Sequence, residues 1–302
     1  GNLVARKIGK GAKVMLSAHM DEIGLMVKYV NEDGKIDFTR IGGIDPITLV
    51  GQQVEIMSKK GNIVNGVVTY TDLHESIDMD DVVDAPKASD LYIDTGVDKK
   101  ELDKLGVSTG CYIVPKSEFL ILGNEKVFSC KALDDRIGCY VLLEVAKQLT
   151  EVDQDLYYVF TVQEEVGLYG AQTSVYDINP DWGVAVDVTI ATDAEDPNRI
   201  ILGKGPNVTI MDSEMIANKC LNDHIISLAK KHKIPLQEEV AEGGTTDATK
   251  IMMSRGGVPS TVVGVPVRNM HSTITIANFD DIKNLIKLLE ILMKDPPKIC
   301  LV

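Results

Sequence analysis

The sequence predicts an α/β protein: a mixed sheet flanked by helices, interrupted by an inserted, mostly β domain. Two observations carry that reading. Short, β-branched apolar runs alternate with helical patterns over most of the chain, which implies a layered domain whose sheet is at least partly parallel. Residues 22–116 break the alternation with consecutive hairpin signals. The expected division is therefore a discontinuous domain of residues 1–21 and 117–302 and an inserted domain of residues 22–116.

The strand-like runs are "KVMLSAHM", "LYYVFTVQEE", "DWGVAVDV" and "PSTVVGVP". Between them, "DDRIGCYVLLEVAKQL" sets Ile137, Val141, Leu142, Val145 and Leu149 on one helical face. In "NFDDIKNLIKLLEILMKD", Asp280 and Asp281 fall in the first turn and Lys294 near the end, which suits the helix dipole. The inserted stretch opens with "LMVKYVNEDGKIDFTRI", two strand-like runs about an Asp33-Gly34 turn. A second hairpin, "VEIMSKKGNIVNGVVTY", turns at Gly61, and "DKKELDKLGV" reads as one short amphipathic helix. The intervening acidic tract "DMDDVVDAP" reads as solvated surface.

Composition narrows the function. The 302 residues carry 31 basic and 45 acidic side chains, a formal charge of −14. That balance excludes a nucleic-acid or anionic-membrane binder, which needs clustered Lys and Arg, and fits a protein that holds cations. No apolar run approaches the ~20 residues that span a bilayer. Five cysteines without a CxxC pair read as reduced thiols of a cytoplasmic protein.

Five segments end an apolar run with His or a carboxylate: "LSAHMDEIG" (His19, Asp21), "CKALDDRIG" (Asp134, Asp135), "TVQEEVG" (Glu164, Glu165), "VAVDVTI" (Asp187) and "RNMHSTI" (His271). In α/β sheets functional groups gather beyond the carboxyl ends of the strands. Imidazoles and carboxylates converging there form an N/O site for divalent metal, and for two metals if one carboxylate bridges. Singly, each has a plainer explanation, as a hydrogen-bonded strand-end His or as Asp at a helix start. Together they cannot all be caps, because so many buried acids need cations. His74, His224 and His232 read as ordinary structural or surface residues.

The motifs "AHMDEIGLMV", "KALDDRIGC", "TVQEEVGLYGA", "VAVDV", "GGTTDATKI" and "RNMHS" run in order from Val14 to Ser272. In this the chain resembles the tetrahedral (TET) aminopeptidases, the group of glutamyl, leucyl and lysyl aminopeptidases and some proteins labelled endoglucanases. The resemblance implies a zinc-exopeptidase-like catalytic domain, an inserted dimerisation domain and two divalent ions per subunit, zinc or cobalt. His19 would bind one metal, with Asp21 orienting its imidazole. Asp134 would bridge both metals, Asp187 would complete the first set, and Glu165 and His271 the second. Glu164 would be the general base on the shared water, and the Asp134–Asp135 peptide would be cis. Gly244, Thr245, Thr246 and Asp247 would line the substrate side. Peptides would be the substrates, and dimers would build a homo-oligomer, a tetrahedral dodecamer in the family.

The chain departs from the family pattern at Tyr169, where Arg is usual, and at Asn269, where Tyr is usual. Family members also carry some tens of residues before the equivalent of "GNL", so an early helix and strand are expected to precede Gly1. Two alternatives stand beside the peptidase: a glycoside hydrolase, whose minimum equipment is also two carboxylates, and a non-catalytic scaffold that has kept the fold.

Overall fold

A computed structural model describes residues 1–70, 85–192 and 199–298. Strands β1 (Leu3–Lys7) and β2 (Lys13–His19) open the chain. They are followed by β3 (Gly24–Val30), β4 (Ile36–Ile41), β5 (Gln53–Met57), β6 (Ile63–Tyr70), β7 (Leu91–Asp94), helix α1 (Lys99–Leu105) and β8 (Tyr112–Pro115). Next come β9 (Leu120–Ile121), β10 (Val127–Cys130), α2 (Leu133–Gln148), β11 (Asp155–Thr161) and α3 (Tyr169–Ile178). Then follow β12 (Trp182–Ile190), β13 (Asn207–Met211), α4 (Lys219–His232) and β14 (Gln237–Val240). The chain continues through α5 (Asp247–Met252), β15 (Ser260–Arg268), β16 (Thr275–Asn278) and α6 (Phe279–Lys294).

Contacts divide the chain into two compact units. One holds Gly1–Glu22, Phe119–Met270 and the chain from Thr275 onward; the other holds Ile23–Glu118 with the short segment His271–Ile274. The first contains a ten-stranded mixed sheet ordered β1-β11-β2-β12-β15-β16-β10-β9, with β13 and β14 attached beside β15. Its centre, β11-β2-β12-β15, is parallel throughout, and the flanking pairs β1–β11 and β15–β16 are antiparallel.

Period-two alternation decides which side each residue takes. Val14, Leu16 and Ala18 of β2 join one large cluster with Leu156, Tyr158 and Phe160 of β11, and with Trp182, Val184, Val186 and Val188 of β12. That cluster packs on α2, α4 and α6. The intervening residues Met15, Val159 and Ala185 meet smaller clusters containing Val175 and Ile178 of α3 and Ala248 and Ile251 of α5. Helices therefore cover both faces, and the strands read as unbroken apolar runs because both sides are buried. The α/β class expected from the sequence is the one found.

In the second unit the hairpins close into a six-stranded barrel, β3-β4-β7-β6-β5-β8. Closure comes from the distant pairing of β3 with β8, where Leu25 faces Ile113. Leu25, Ile36, Val54, Ile56, Val68, Ile93 and Ile113 fill its interior. Helix α1 starts where the Asp98 side chain accepts the Glu101 amide at 2.9 Å and stops at Gly106, whose φ of 85° suits a residue without Cβ. The acidic tract falls mostly on residues 71–84, outside the described residues, as does His74.

Cys111, Cys130 and Cys139 are free thiols, whereas Cys220 is disulfide-bonded, which corrects the expectation that all five are reduced. Spacing between cysteines cannot reveal which of them the fold brings together. Among the described residues no helix is long and apolar enough to cross a membrane.

Helix α6 anchors the larger cluster through Leu285, Leu288, Leu289 and Leu292, all fully buried. Leu289→Ala is expected to lower unfolding free energy by about 2–5 kcal/mol, from lost burial and the cavity left behind. Lys287→Ala, on the exposed side, should change it by less than about 0.5 kcal/mol. Denaturant unfolding of both variants measures the difference.

Candidate metal centre

Four parallel strands present their carboxyl ends at one edge of the sheet. Register places Thr161 of β11 opposite His19 of β2, and Asp187 of β12 opposite Gly264 of β15. Ala185 of β12 lies opposite Ser17 of β2, and two residues further along each strand stand Asp187 and His19. Thr161, His19 and Asp187 thus form one row, on the side of the sheet away from the large cluster. Alternation permits no other side, since Ala18, Val186 and Val188 point into that cluster.

His19 is 2% exposed. Its Nδ1 lies 3.1 Å from the main-chain oxygen of Asp21, which can only accept, so Nδ1 carries the proton in that bond. Nε2 is left facing the acids: Asp134 Oδ1 at 3.0 Å, Glu164 Oε2 at 3.8 Å and Asp187 Oδ1 at 3.9 Å. His19, Asp134 and Asp187 each bring a ligand atom within 4.8 Å of the others, and Asp134 stands in the same relation to Glu165. Asp134 therefore belongs to two donor groups.

The two aspartates of "LDDR" have different tasks. The peptide between them is cis, and helical geometry in α2 starts only after Asp135. Asp135 is fully buried; its Oδ1 accepts the Gly138 amide at 3.0 Å and its Oδ2 the His19 amide at 3.2 Å. It caps the helix and ties it to the end of β2, a structural role the sequence hints at through the helix start alone. Asp134 is the acid offered to the site.

Strand β11 ends at Thr161, so the glutamate pair lies beyond the strand, which corrects the expectation that "LYYVFTVQEE" is extended to its end. Gln163 takes a left-handed φ of 60° just before the pair, and Gly167 takes a φ of 142° just after it. The Leu168 amide bonds back to Glu164 O, the Tyr169 amide to Gln163 O and the Gly170 amide to Val162 O. Asn2 fastens the base of this loop: its Oδ1 accepts the Val162 amide, and its Nδ2 donates to Gly170 O and Ser174 Oγ. The Asp21 carboxylate accepts both the Glu164 amide (Oδ1) and the Glu165 amide (Oδ2) at 3.2 Å, while its nearest oxygen is 3.7 Å from His19 Nδ1.

In the expected substrate segment Gly244 is exposed, Thr245 and Thr246 are half-buried, and Thr246 caps α5. Asp247 turns inward: it is 3% exposed, and its Oδ2 accepts Thr161 Oγ1 at 2.7 Å. Ser213 holds the segment by donating from its amide and its hydroxyl to Gly244 O. His271 heads the segment His271–Ile274, which packs with the second unit, and it directly follows Met270 of the first. His224 bonds the carbonyl of Asp295, and His232 is exposed at the end of α4. One network went unanticipated: Glu22 accepts Lys131 Nζ at 2.6 Å and Arg136 at 3.3 Å.

The electrostatics are those of crowded acids. Burial pushes the Glu164 carboxyl up to about 10, helped by the charge of Asp187. Burial likewise raises Asp187 to about 8, with Asp134 adding to the shift. Burial alone would strip the proton from His19. The hydrogen bond to Asp134 and the charges of Asp187, Asp135 and Asp134 outweigh it and hold the imidazole's pKa well above its ordinary value. Without another cation these groups share protons instead of ionising. The donors are one imidazole and several carboxylates, a set that suits a divalent ion of borderline hardness.

Known proteins agree with the geometry. The sequence model of the M42 glutamyl aminopeptidase family matches residues 1–288. A lysyl aminopeptidase of Pyrococcus furiosus is 36% identical over 299 residues, covering 98% of this chain and 85% of its own. The solved aminopeptidase of the archaeon Desulfurococcus kamchatkensis superposes with a TM-score of 0.92 at 35% identity, covering 98% of this chain and 83% of that one. The Pyrococcus horikoshii TET1 peptidase, described as assembling into a tetrahedron or a large octahedral shell, gives 0.85 at 33% identity, covering 97% and 87%. With His19 and Asp187 in one row at the sheet's edge and the family's sequence model matching residues 1–288, the chain belongs to the M42 family of aminopeptidases.

Proposed function

We propose that the chain removes N-terminal residues from peptides, using two divalent ions and Glu164 as general base. The observation that carries this reading is Asp134, shared between two donor groups, with Glu164 3.8 Å from the imidazole of one of them. His19, Asp134 and Asp187 would hold one ion, and Asp134, Glu165 and His271 the other. His271 stands three residues past the end of β15, whose Gly264 lies beside Asp187. Bound there, the ions would lower the pKa of water and polarise the scissile carbonyl.

The chain's own groups supply the rest. Glu164 accepts the proton of the attacking water and returns it to the departing amine. Its position among acids lets a nearby cation draw its pKa down from about 10 into the range a base needs. The acidic surroundings also favour a free N-terminal ammonium, which selects chain ends over internal bonds. Gly244, Thr245 and Thr246 would meet the substrate, with Asp247 supporting the row from beneath. A glycoside hydrolase would use two carboxylates and leave His19 without a task.

Glu164→Gln keeps the shape and removes the base, so kcat should fall by about 10²–10⁴-fold while metal content stays near wild type. Glu165→Gln should instead lose metal, and added metal should restore part of its activity. An aminoacyl-anilide panel run with zinc and with cobalt, alongside elemental analysis, reads both variants. Glu164→Gln retaining most of its activity would remove the base assignment.

Removing the metal should change how stability depends on pH. Glu164, Asp187 and His19 all have folded pKa values above their unfolded ones, so without a cation the folded state binds more protons than the unfolded state. That contribution is present at acid pH and is lost as pH rises through the folded values, about 8 for Asp187 and about 10 for Glu164. In chelator, the melting temperature should fall between about pH 5 and 9. With zinc or cobalt the trend should reverse, because metal competes with those protons. Thermal melts across that range, with and without chelator, show the sign.

Self-association is proposed for residues 22–116, where Met57, Ile63, Val67 and Tyr112 leave apolar surface exposed. Light scattering should show dimers or larger closed assemblies; the Pyrococcus horikoshii TET1 peptidase is described as assembling into a tetrahedron or a large octahedral shell. A strictly monomeric chain at all concentrations would count against it.

A further inference from the structure

We propose that Glu239 is a specificity-determining residue, whose carboxylate receives the ammonium of a basic side chain on the first residue of the peptide. The inference rests on the aminopeptidase reading above and names its substrate class. Three buried side chains donate to this carboxylate: the Thr189 hydroxyl to Oε1, and the Asn207 amide and Thr209 hydroxyl to Oε2 at 2.7 and 3.0 Å. All three donors are neutral. Among the described residues no Lys, Arg or His side chain pairs with Glu239, whereas Glu22 meets both Lys131 and Arg136.

Strand register puts Glu239 beside the row of site residues. Asp187 of β12 lies opposite Gly264 of β15, and Gly264 lies opposite Asn207 of β13. Val186, Val188, Val208 and Val263 point into the large cluster, so Asp187, Thr189, Asn207 and Thr209 take the other side, that of the row. Glu239 pairs with Thr209 and shares that face. Thr189 follows Asp187 by two strand residues, about 7 Å along β12. Between Asp187 and Asn207 stands only a glycine: a Cβ at Gly264 would lie 2.4 Å from Asn207 Oδ1. Because the Asn207 nitrogen donates to Glu239 and Thr209, its oxygen, buried without a donor, is turned toward Gly264.

A link between strands needs no charge at this position. The oxygen of a glutamine could take Asn207 and Thr209, and its nitrogen could donate to the Thr189 hydroxyl, which accepts as readily as it donates. A further carboxylate near Asp134, Glu164 and Asp187 only adds repulsion. A cation arriving with the substrate removes that conflict. The peptide's own terminal ammonium is drawn to the acids of the row, which leaves Glu239, one step further out, for the side chain. Lysine carries its charge at the end of a four-carbon stem, a length suited to the step from Asp187 to Thr189. Five residues after Glu239 comes Gly244, on the expected substrate side.

The test compares lysine with norleucine, which has the same four carbons and no ammonium. On the metal-loaded full chain, kcat/KM for the lysyl anilide should exceed that for the norleucyl anilide by about tenfold to a hundredfold. In Glu239→Gln that ratio should collapse toward one, because the lysyl value falls much further than the norleucyl value. Loss of a strand link alone would lower both values together and keep their ratio. Isothermal titration with free L-lysine and L-norleucine reads the same contact without turnover, and lysine should bind the wild type about tenfold or more tightly. In wild-type crystals soaked with lysine, Nζ should lie within hydrogen-bonding distance of a Glu239 oxygen.

No preference for lysine in the wild-type titration would overturn the proposal. So would a preference that survives Glu239→Gln, or a lysine Nζ seated away from Glu239 in the wild-type crystal. If neither anilide is cleaved, the functional reading fails, and the titration and the crystal still decide whether Glu239 receives an ammonium.

Discussion

Carboxylates buried side by side repel one another, and the edge of this sheet collects more of them than a protein interior tolerates without opposite charge. Asp134, Glu164 and Asp187 surround a single imidazole, whose pKa is lowered by burial but raised overall by Asp134, Asp187 and Asp135. Much nearby architecture limits that repulsion. Asp135 is given two main-chain donors and Asp247 a hydroxyl. Each of these acids has been turned into an acceptor, leaving the ones that face the row to need a cation.

The row is a product of strand pairing more than of local sequence. His19 and Asp187 are 168 positions apart, yet parallel register brings them side by side and alternation sends both to the same face. Both faces of β2 and β12 are closed by helices, so a slip of one residue would drive His19 into the large apolar cluster. Core packing and the geometry of the site are therefore a single constraint. A defect in the cluster should be felt in the distances between ligands before the fold is lost.

The residues themselves show what a sequence discloses. His19 and Asp187 were legible because each ends an apolar run, and such runs end at the functional edge of a parallel sheet. Helix α2 was legible from the spacing of Ile137, Val141, Leu142, Val145 and Leu149, and α6 from Asp280 and Asp281 in its first turn and Lys294 near its end. The glutamate pair was visible at the end of an apolar run, but the left-handed residue just before it was not, since Gln163 is not a residue that announces that conformation. Asp247 was expected on the substrate side with Gly244, Thr245 and Thr246, and only tertiary contact with Thr161 shows that it turns inward. Hairpin signals disclosed strands in residues 22–116 but not closure, because pairing of β3 with β8 joins segments more than eighty residues apart. The disulfide of Cys220 was hidden because cysteine spacing does not say which thiols meet.

Closure of that barrel has a consequence for how copies of the chain can meet. An open sheet exposes unpaired amides and carbonyls along its outermost strands, and another chain can extend it by adding a strand of its own. A ring of six strands has no outermost member. Any partner of this unit must recognise it by shape and side-chain chemistry on the outer wall, where Met57 of β5, Ile63 and Val67 of β6 and Tyr112 of β8 stand exposed. A side-chain patch that pairs with its own copy about a two-fold axis is filled once, whereas a bare strand edge can be lengthened without limit.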